Sequence, residues 1–243
     1  MSSFLEQYGK AIFTLVLVAI LIAFAGPLGM KIKNATTEKV STTEEIGNDE
    51  VYVATTGRPK PPKEAVDKVY CIYYDDGELT ISQNEIEPEV GRTVVKKGFY
   101  DRPTNCTYQM TTVRFIGAVK PKGCYYWFIN CENLTEIKNL KNLYTDECRN
   151  MDSMFYHCYN LTSLDLRYFD TSKVTNMYGM FAAVKKIDIL DLRNFDTNKV
   201  TTMQSMFHDG GPKIVWISDK WKMDQANTTN MFKFSSTKLE LHE

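Results

Sequence analysis

The chain has 243 residues, of which 43% are hydrophobic and 24% charged, and its formal net charge is −1. This balance excludes a broadly basic nucleic-acid binder and a self-repelling acidic disordered chain. Six cysteines are too few for a disulfide scaffold in a protein of this length. The averages hide an uneven distribution, because the apolar residues are concentrated in an N-terminal block and in a periodic second half.

The N-terminal block, Ala11–Met30, is an unbroken run without an ionisable side chain. A helix of this length matches a hydrocarbon core of about 30 Å, so residues 1–33 are predicted to form a transmembrane or signal-anchor helix. The predicted localisation is the cell membrane, with a single span and extracellular repeats. A cleaved signal peptide over Ala11–Ala25, which would give a secreted protein, and a buried core helix are the alternatives.

Two segments connect this block to the second half. Residues 34–67 are rich in Thr and Glu and then in Pro, with few large apolar groups, which predicts a disordered stalk. Residues 68–117 are predicted to be a β-rich capping segment. In it, Val69–Tyr74 and Glu78–Ser82 flank Asp75-Asp76-Gly77, a typical hairpin turn. The alternative for this segment is a separate small binding domain.

Residues 118–243 contain an internal repeat. Phe155, Phe181 and Phe207 are equally spaced, and Leu161–Val174 returns as Ile187–Val200 with nine identities in fourteen positions. In each unit the alternation of apolar and polar residues, as in Leu164–Leu166, predicts a short strand, and turn-forming residues follow it. Apolar residues spaced three and four positions apart then predict a short helix. Such units bury their apolar faces only by stacking. The predicted fold class is therefore an α/β repeat solenoid of units of about 26 residues, with a small β N-terminal cap and a separate N-terminal membrane helix.

The repeat motif resembles that of a known family. The sequence MFYHCYNLTSLDLRYFDTSKVTNMYGMF, residues 154–181, closely resembles the BspA-like leucine-rich-repeat surface proteins of bacteria. The likeness covers roughly residues 68–243 and is most specific in the repeats. It implies a leucine-rich-repeat-like fold and a cell-surface or secreted protein with binding or adhesive roles.

The sequence carries no recognisable catalytic or metal-binding motif. None of the histidines at positions 157, 208 and 242 lies beside a nucleophile or a metal-ligand pattern. P-loop, GxSxG, HExxH and Rossmann signatures are not found, and no CxxC pair supports a zinc site. We therefore predict a protein that is not an enzyme, with no catalytic residues, metal or cofactor.

A ligand-binding surface is predicted on the exposed side of the strands. Outward positions in the predicted register are Lys138, Asp165, Arg167, Asp191, Arg193, Trp216 and Ser218. Stacked columns of aspartate and arginine that end in an exposed tryptophan are suited to bind a protein or a glycan. The alternative is ordinary surface charge that neutralises itself between strands.

Two cysteines are in equivalent positions of neighbouring units. Cys131 and Cys158 each follow a repeat phenylalanine by three residues, so stacking brings their Cα atoms into the range of a disulfide. Two interpretations remain open: a disulfide, or two small buried thiols in the core, which we favour.

Together these features predict a membrane-anchored bacterial surface protein that displays a short repeat array for adhesion. Its predicted partners are an extracellular protein or glycan and, through the N-terminal helix, the membrane; nucleic acid is not expected. The alternative is a structural component of a surface or conjugation apparatus resembling a pilus, in which the N-terminal helix packs as in a pilin.

Overall fold

A computed structural model describes residues 57–242, which form two β-sheets. The first sheet has five strands, in the order β3-β1-β2-β4-β5. They are β1 (Val69–Tyr74), β2 (Glu78–Ser82), β3 (Val94–Tyr100), β4 (Thr112–Ile116) and β5 (Glu136–Lys138). Strand β1 pairs antiparallel with β2 and β3, whereas β2, β4 and β5 pair in parallel.

The predicted hairpin is confirmed in its strands and its turn. Strands β1 and β2 have the predicted bounds, and the amide of Gly77 donates to the carbonyl of Tyr74 at 3.1 Å. Gly77 has a φ of +89°, a region that residues with a Cβ atom rarely adopt. A Cβ atom there would also lie 2.7 Å from Oγ1 of Thr111. This turn therefore requires glycine.

The second sheet has three parallel strands in the order β6-β7-β8. They are β6 (Ile189–Asp191), β7 (Ile214–Ile217) and β8 (Lys238–Leu241). Their central residues Leu190 and Val215 are fully buried, while the residues on either side are exposed or half-buried. Alternation thus orients one face of the sheet to the core and the other to solvent, as in any strand with period two.

The segments predicted as short helices are chains of turns. In the described range the only helices are two 3-10 turns, Pro103–Asn105 and Leu140–Asn142. Around Phe155, alternate amides bond within the segment: Met154 donates to the carbonyl of Met151 at 3.3 Å. The amides between them donate to the next repeat, as Phe155 does to the carbonyl of Met180 at 3.0 Å.

This division of hydrogen bonds explains why no α-helix forms. A helix uses successive amides internally, whereas here every second amide bonds to the neighbouring repeat. Left-handed residues such as Ser153 (φ 51°) and Ala183 (φ 60°) also interrupt any helical path. The prediction of an α/β solenoid with strand–turn–short helix units is therefore wrong. The described residues are mostly β and turn, and Leu164–Leu166, predicted as a strand, is in neither sheet.

Phenylalanine rings form a continuous column through the core. The ring of Phe155 lies 5.6 Å from that of Phe128 and 5.8 Å from that of Phe181. The column continues through Phe207, at 6.0 Å from Phe181, to Phe232 at 5.7 Å. The first four rings are fully buried and the planes of neighbouring rings are close to parallel. The regular spacing of phenylalanine in the sequence therefore corresponds to direct contact between equivalent side chains.

A second column consists of buried threonines. The hydroxyl of Thr171 accepts a hydrogen bond from the amide of Asp196 at 2.8 Å and donates to the carbonyl of the same residue at 3.0 Å. Thr145 makes the same pair of bonds to Asp170, and Thr197 bonds to the amide and carbonyl of Lys222. Each threonine thus joins its own repeat to the backbone of the next.

No helix among the described residues is long and apolar enough to cross a membrane. The described residues therefore do not support the predicted localisation, a membrane anchor with a single span. The segment on which it was based, residues 1–33, lies outside the described residues, as does most of the predicted stalk. The last part of that stalk is described: Val66 forms a parallel bridge with Pro121, and the Arg58 guanidinium lies 3.8 Å from the Tyr144 ring.

Candidate functional site

The outer face of the second sheet borders a cleft of about 680 Å³ at one end of its strands. Register places Asp191 of β6 beside Trp216 of β7, and Trp216 beside Glu240 of β8. The residues that line the cleft come from these strands and the turns that follow them: Arg167, Asp191, Arg193, Asn194, Ser218, Asp219, Lys220, Leu241 and His242. The volume is in the usual range for a ligand pocket.

Trp216 is the central aromatic group of this face. Its indole ring is half-buried, and the guanidinium carbon of Arg193 lies 5.5 Å from the ring centroid. Directly after the neighbouring strand β8, the imidazole of His242 lies 4.8 Å from the indole, tilted by 42°. Both partners line the cleft. Cation–π attraction from Arg193 helps to hold the indole in place beside the opening.

Asp191 holds Arg193 in a bidentate pair. Nε and Nη2 of the arginine donate to the two carboxylate oxygens at 2.9 and 2.8 Å, and the Arg193 amide donates to Oδ1 at 3.1 Å. These hydrogen bonds, the guanidinium first among them, hold the pKa of Asp191 below its usual range despite partial burial. A guanidinium has five N–H donors, and the pair uses two of them. The other three donate to no described residue, which leaves them for a ligand.

The same pair is built one repeat earlier. Nε and Nη2 of Arg167 donate to Asp165 at 2.9 and 2.8 Å, and the Arg167 hydrogen bonds lower the pKa of Asp165. The sequence pattern predicts an aspartate column beside an arginine column. The structure shows instead that each aspartate binds the arginine two residues further along its own repeat. Arg167 lines the cleft, whereas Asp165 borders a separate depression with Lys186 and Asp188.

Lys138, the remaining predicted residue, lies in the first sheet. It is the last residue of β5, and its ammonium group is 3.8 Å from the carboxylate of Glu78. Glu78 is the centre of an ion-pair network: Arg114 contacts it at 2.6 Å and Arg92 at 2.9 Å. Lys138 therefore belongs to this network and not to the cleft beside Trp216.

The Glu78 network should make the fold less stable at acid pH than at neutral pH. Burial raises the pKa of Glu78, but the hydrogen bonds from Arg92 and Arg114 outweigh it and hold the pKa below its usual value. A carboxyl group with a lowered pKa stabilises the fold at neutral pH, and this contribution is lost as pH falls through the folded value. We expect a Glu78→Gln variant to melt below the wild type at pH 7, and the gap to shrink below about pH 4.5. Thermal melts from pH 7 to pH 3 measure it; a gap that does not change with pH would contradict the ion-pair origin.

Five residues of the cleft were not identified from the sequence: Asn194, Asp219, Lys220, Leu241 and His242. The sequence period does not point to His242, because the register pairs Trp216 with Glu240, two residues before it. Leu241 is the last residue of β8, and the other four lie in turns or directly after a strand, where the sequence varies between repeats and periodicity gives no guidance.

The predicted cysteine pair consists of two buried thiols in this structure. Cys158 donates to the carbonyl of Phe128 at 3.2 Å, and Cys131 to that of Ile129 at 3.7 Å. Burial raises the pKa of Cys131 to about 12 and that of Cys158 well above its usual value, so neither is a reactive thiolate. Within residues 57–242, no group of three His, Cys, Asp or Glu side chains is arranged to hold a metal ion.

The repeat region is similar to a described family of proteins. Residues 122–241 match its family model. The family is described as Mycoplasma protein of unknown function, DUF285, and the match covers just under half of the chain. It includes the three strands of the second sheet and all the cleft residues except His242. The match fits a surface repeat protein loosely. No curated protein and no solved structure matches the chain.

Proposed function

We propose that this protein is a binding protein, and that it takes an extracellular protein or glycan at the cleft beside Trp216. The observation that supports this most directly is the half-buried indole held between Arg193 and His242 at the border of a cleft of about 680 Å³. Tryptophan and arginine are the residues most enriched among those that dominate binding energy. An indole face is also suited to stack on a sugar ring or an apolar side chain.

Apolar side chains extend this surface along the sheet. Ile189 is 48% exposed and lies beside Ile214 in the register, and Leu241 is 69% exposed. Exposed aliphatic groups next to an anchored aromatic ring and several charged groups match the composition of a recognition surface. The proposal also includes a relationship to the BspA-like surface proteins, which is supported by the repeat motif. Binding rather than catalysis is proposed because Arg167, Asp191 and Arg193 are each held in an ion pair.

The experiment is a binding screen of the full-length chain against immobilised extracellular proteins and a glycan array, followed by titration of each hit. We expect Trp216→Ala to weaken binding at least tenfold, because truncation of a central aromatic anchor costs about 2 kcal/mol or more. Arg193→Ala should weaken it as well and reduce its dependence on salt.

Two matched variants act as controls. Tyr108→Ala removes an aromatic side chain that is 51% exposed and lies in the turns before β4, and Lys138→Ala removes a charge from the first sheet. Both should bind as the wild type does. If no hit depends on Trp216, or if the control variants lose as much affinity as Trp216→Ala, the proposed site is wrong.

A further inference from the structure

Two buried cysteines of the first repeat contact each other directly. The sulfur atoms of Cys124 and Cys148 are 3.0 Å apart, closer than two unbonded sulfur atoms normally approach. Both side chains are fully buried, and Cys148 also donates a hydrogen bond to the carbonyl of Pro121 at 3.5 Å. The thiols of Cys131 and Cys158 differ, since each donates to a separate backbone carbonyl.

Comparison of the repeats shows that this pair is a joint replacement. The position of Cys124 is occupied by Met151, Met177 and Met203 in the following repeats, and that of Cys148 by Val174 and Val200. All of these residues are fully buried in the same core. A single cysteine would be an ordinary substitute for an apolar residue. In the first repeat both members of the contacting pair are cysteine, whereas in the later repeats neither position holds a cysteine.

We propose that Cys124 and Cys148 form a disulfide that locks the first repeat. Two S–H bonds break and one S–S bond forms, with release of two protons and two electrons. The electron acceptor is a disulfide compound, either glutathione disulfide or the disulfide of a thiol oxidoreductase, which is reduced to two thiols. The exchange proceeds through a mixed disulfide between one of the cysteines and this oxidant.

Burial determines when this reaction takes place. In the folded protein the pKa of Cys124 is raised well above its usual value by burial and by its contact with Cys148, so the attacking thiolate is scarce. An oxidant also has no access to a fully buried sulfur. The bond therefore forms before the first repeat closes, and once formed it resists reduction until the repeat opens. The predicted result is a structural cross-link, not a reversible redox switch.

Mass spectrometry of the full-length protein, refolded in a glutathione redox buffer, tests the proposal. After acid quenching, denaturation and alkylation without reductant, we expect four modified cysteines, since two of the six are linked. Digestion should yield one cross-linked peptide pair that contains Cys124 and Cys148. Protein that is unfolded, reduced and refolded in reductant should melt about 5–10 °C below the oxidised protein, because the bond closes a loop of roughly 25 residues.

Variants taken from the other repeats provide the controls. Cys124→Met with Cys148→Val restores the residues of the later repeats, and its melting temperature should no longer depend on reductant. Cys158→Val introduces the residue found at Val184 and should keep the dependence. Six alkylated cysteines in the wild type, or a link between any other two positions, would overturn the proposal. The measurement on the wild-type protein does not depend on whether any variant folds, so it tests the proposal by itself.

Discussion

Phe181→Ala should be among the most destabilising single substitutions in the repeat region. Phe181 is fully buried in the middle of the phenylalanine column, with rings at 5.8 and 6.0 Å on its two sides. Its truncation removes both ring contacts and leaves a cavity. The flanking repeats cannot shift to fill this cavity, because backbone hydrogen bonds hold neighbouring repeats together. The expected cost is about 3–5 kcal/mol, or a fall in melting temperature on the order of 10 °C.

Denaturant and thermal unfolding measure this loss. The matched control is Phe234→Ala, since that ring is 75% exposed near the C-terminal end of the repeats. It should change stability by no more than about 0.5 kcal/mol. A Phe181→Ala protein as stable as the control would show that the repeats do not depend on the column.

Thr171→Val should be nearly as damaging, although it preserves the size and shape of the side chain. The hydroxyl bonds both the amide and the carbonyl of Asp196, and valine leaves these two groups without their partner at a position that is 1% exposed. An unsatisfied buried polar group costs about 1–3 kcal/mol, so the expected loss is about 2–4 kcal/mol. Chemical denaturation measures it.

Two variants separate the hydrogen bonds from other effects. Thr171→Ser keeps the hydroxyl and should recover most of the stability. Thr201→Val makes the same chemical change at an exposed threonine, whose hydroxyl bonds the carbonyl of Thr175 at 3.0 Å, and should cost less than about 0.5 kcal/mol. Equal losses at Thr171 and Thr201 would contradict the explanation, because the first loss is attributed to burial.

The buried positions were predictable because they recur. A constant period placed Phe155, Phe181 and Phe207 in equivalent positions, and stacking of equivalent positions is the geometric consequence of any regular repeat. The hairpin of β1 and β2 was predictable for a different reason, since its turn residues and alternating strands are local signals. Five of the seven residues predicted on the outward face are at or beside the cleft: Arg167, Asp191, Arg193, Trp216 and Ser218.

The secondary structure of the repeats was not predictable from the same pattern. Met177, Met180 and Phe181 have the spacing of one helix face, and the same spacing also arises in a chain of turns. The deciding factor is which carbonyl groups accept the hydrogen bonds of the backbone amides. The amide of Phe181 donates to Met206 of the next repeat at 3.0 Å, a bond that exists only when that repeat is in place. A single repeat taken alone has no such acceptor.

The threonines illustrate the same limit. The position of Thr171 and Thr197 directly after an aspartate predicts a side chain that bonds to its own turn. The aspartate does so: Oδ1 of Asp170 accepts the amide of Ser172 at 2.9 Å. Thr171 instead bonds to the following repeat, a choice that depends on where Asp196 lies in space. Local propensity describes the alternatives of a side chain, and tertiary contacts select among them.

The sequence by itself determined the period, the buried column and the absence of the common catalytic motifs, because these are properties of residue type and spacing. Only the tertiary structure decided that the repeats are turns and short strands instead of helices, that each aspartate binds its own arginine, and that Cys124 contacts Cys148. These outcomes depend on hydrogen bonds and contacts between neighbouring repeats, or on the orientation of individual side chains. Neither is contained in the pattern of a single repeat.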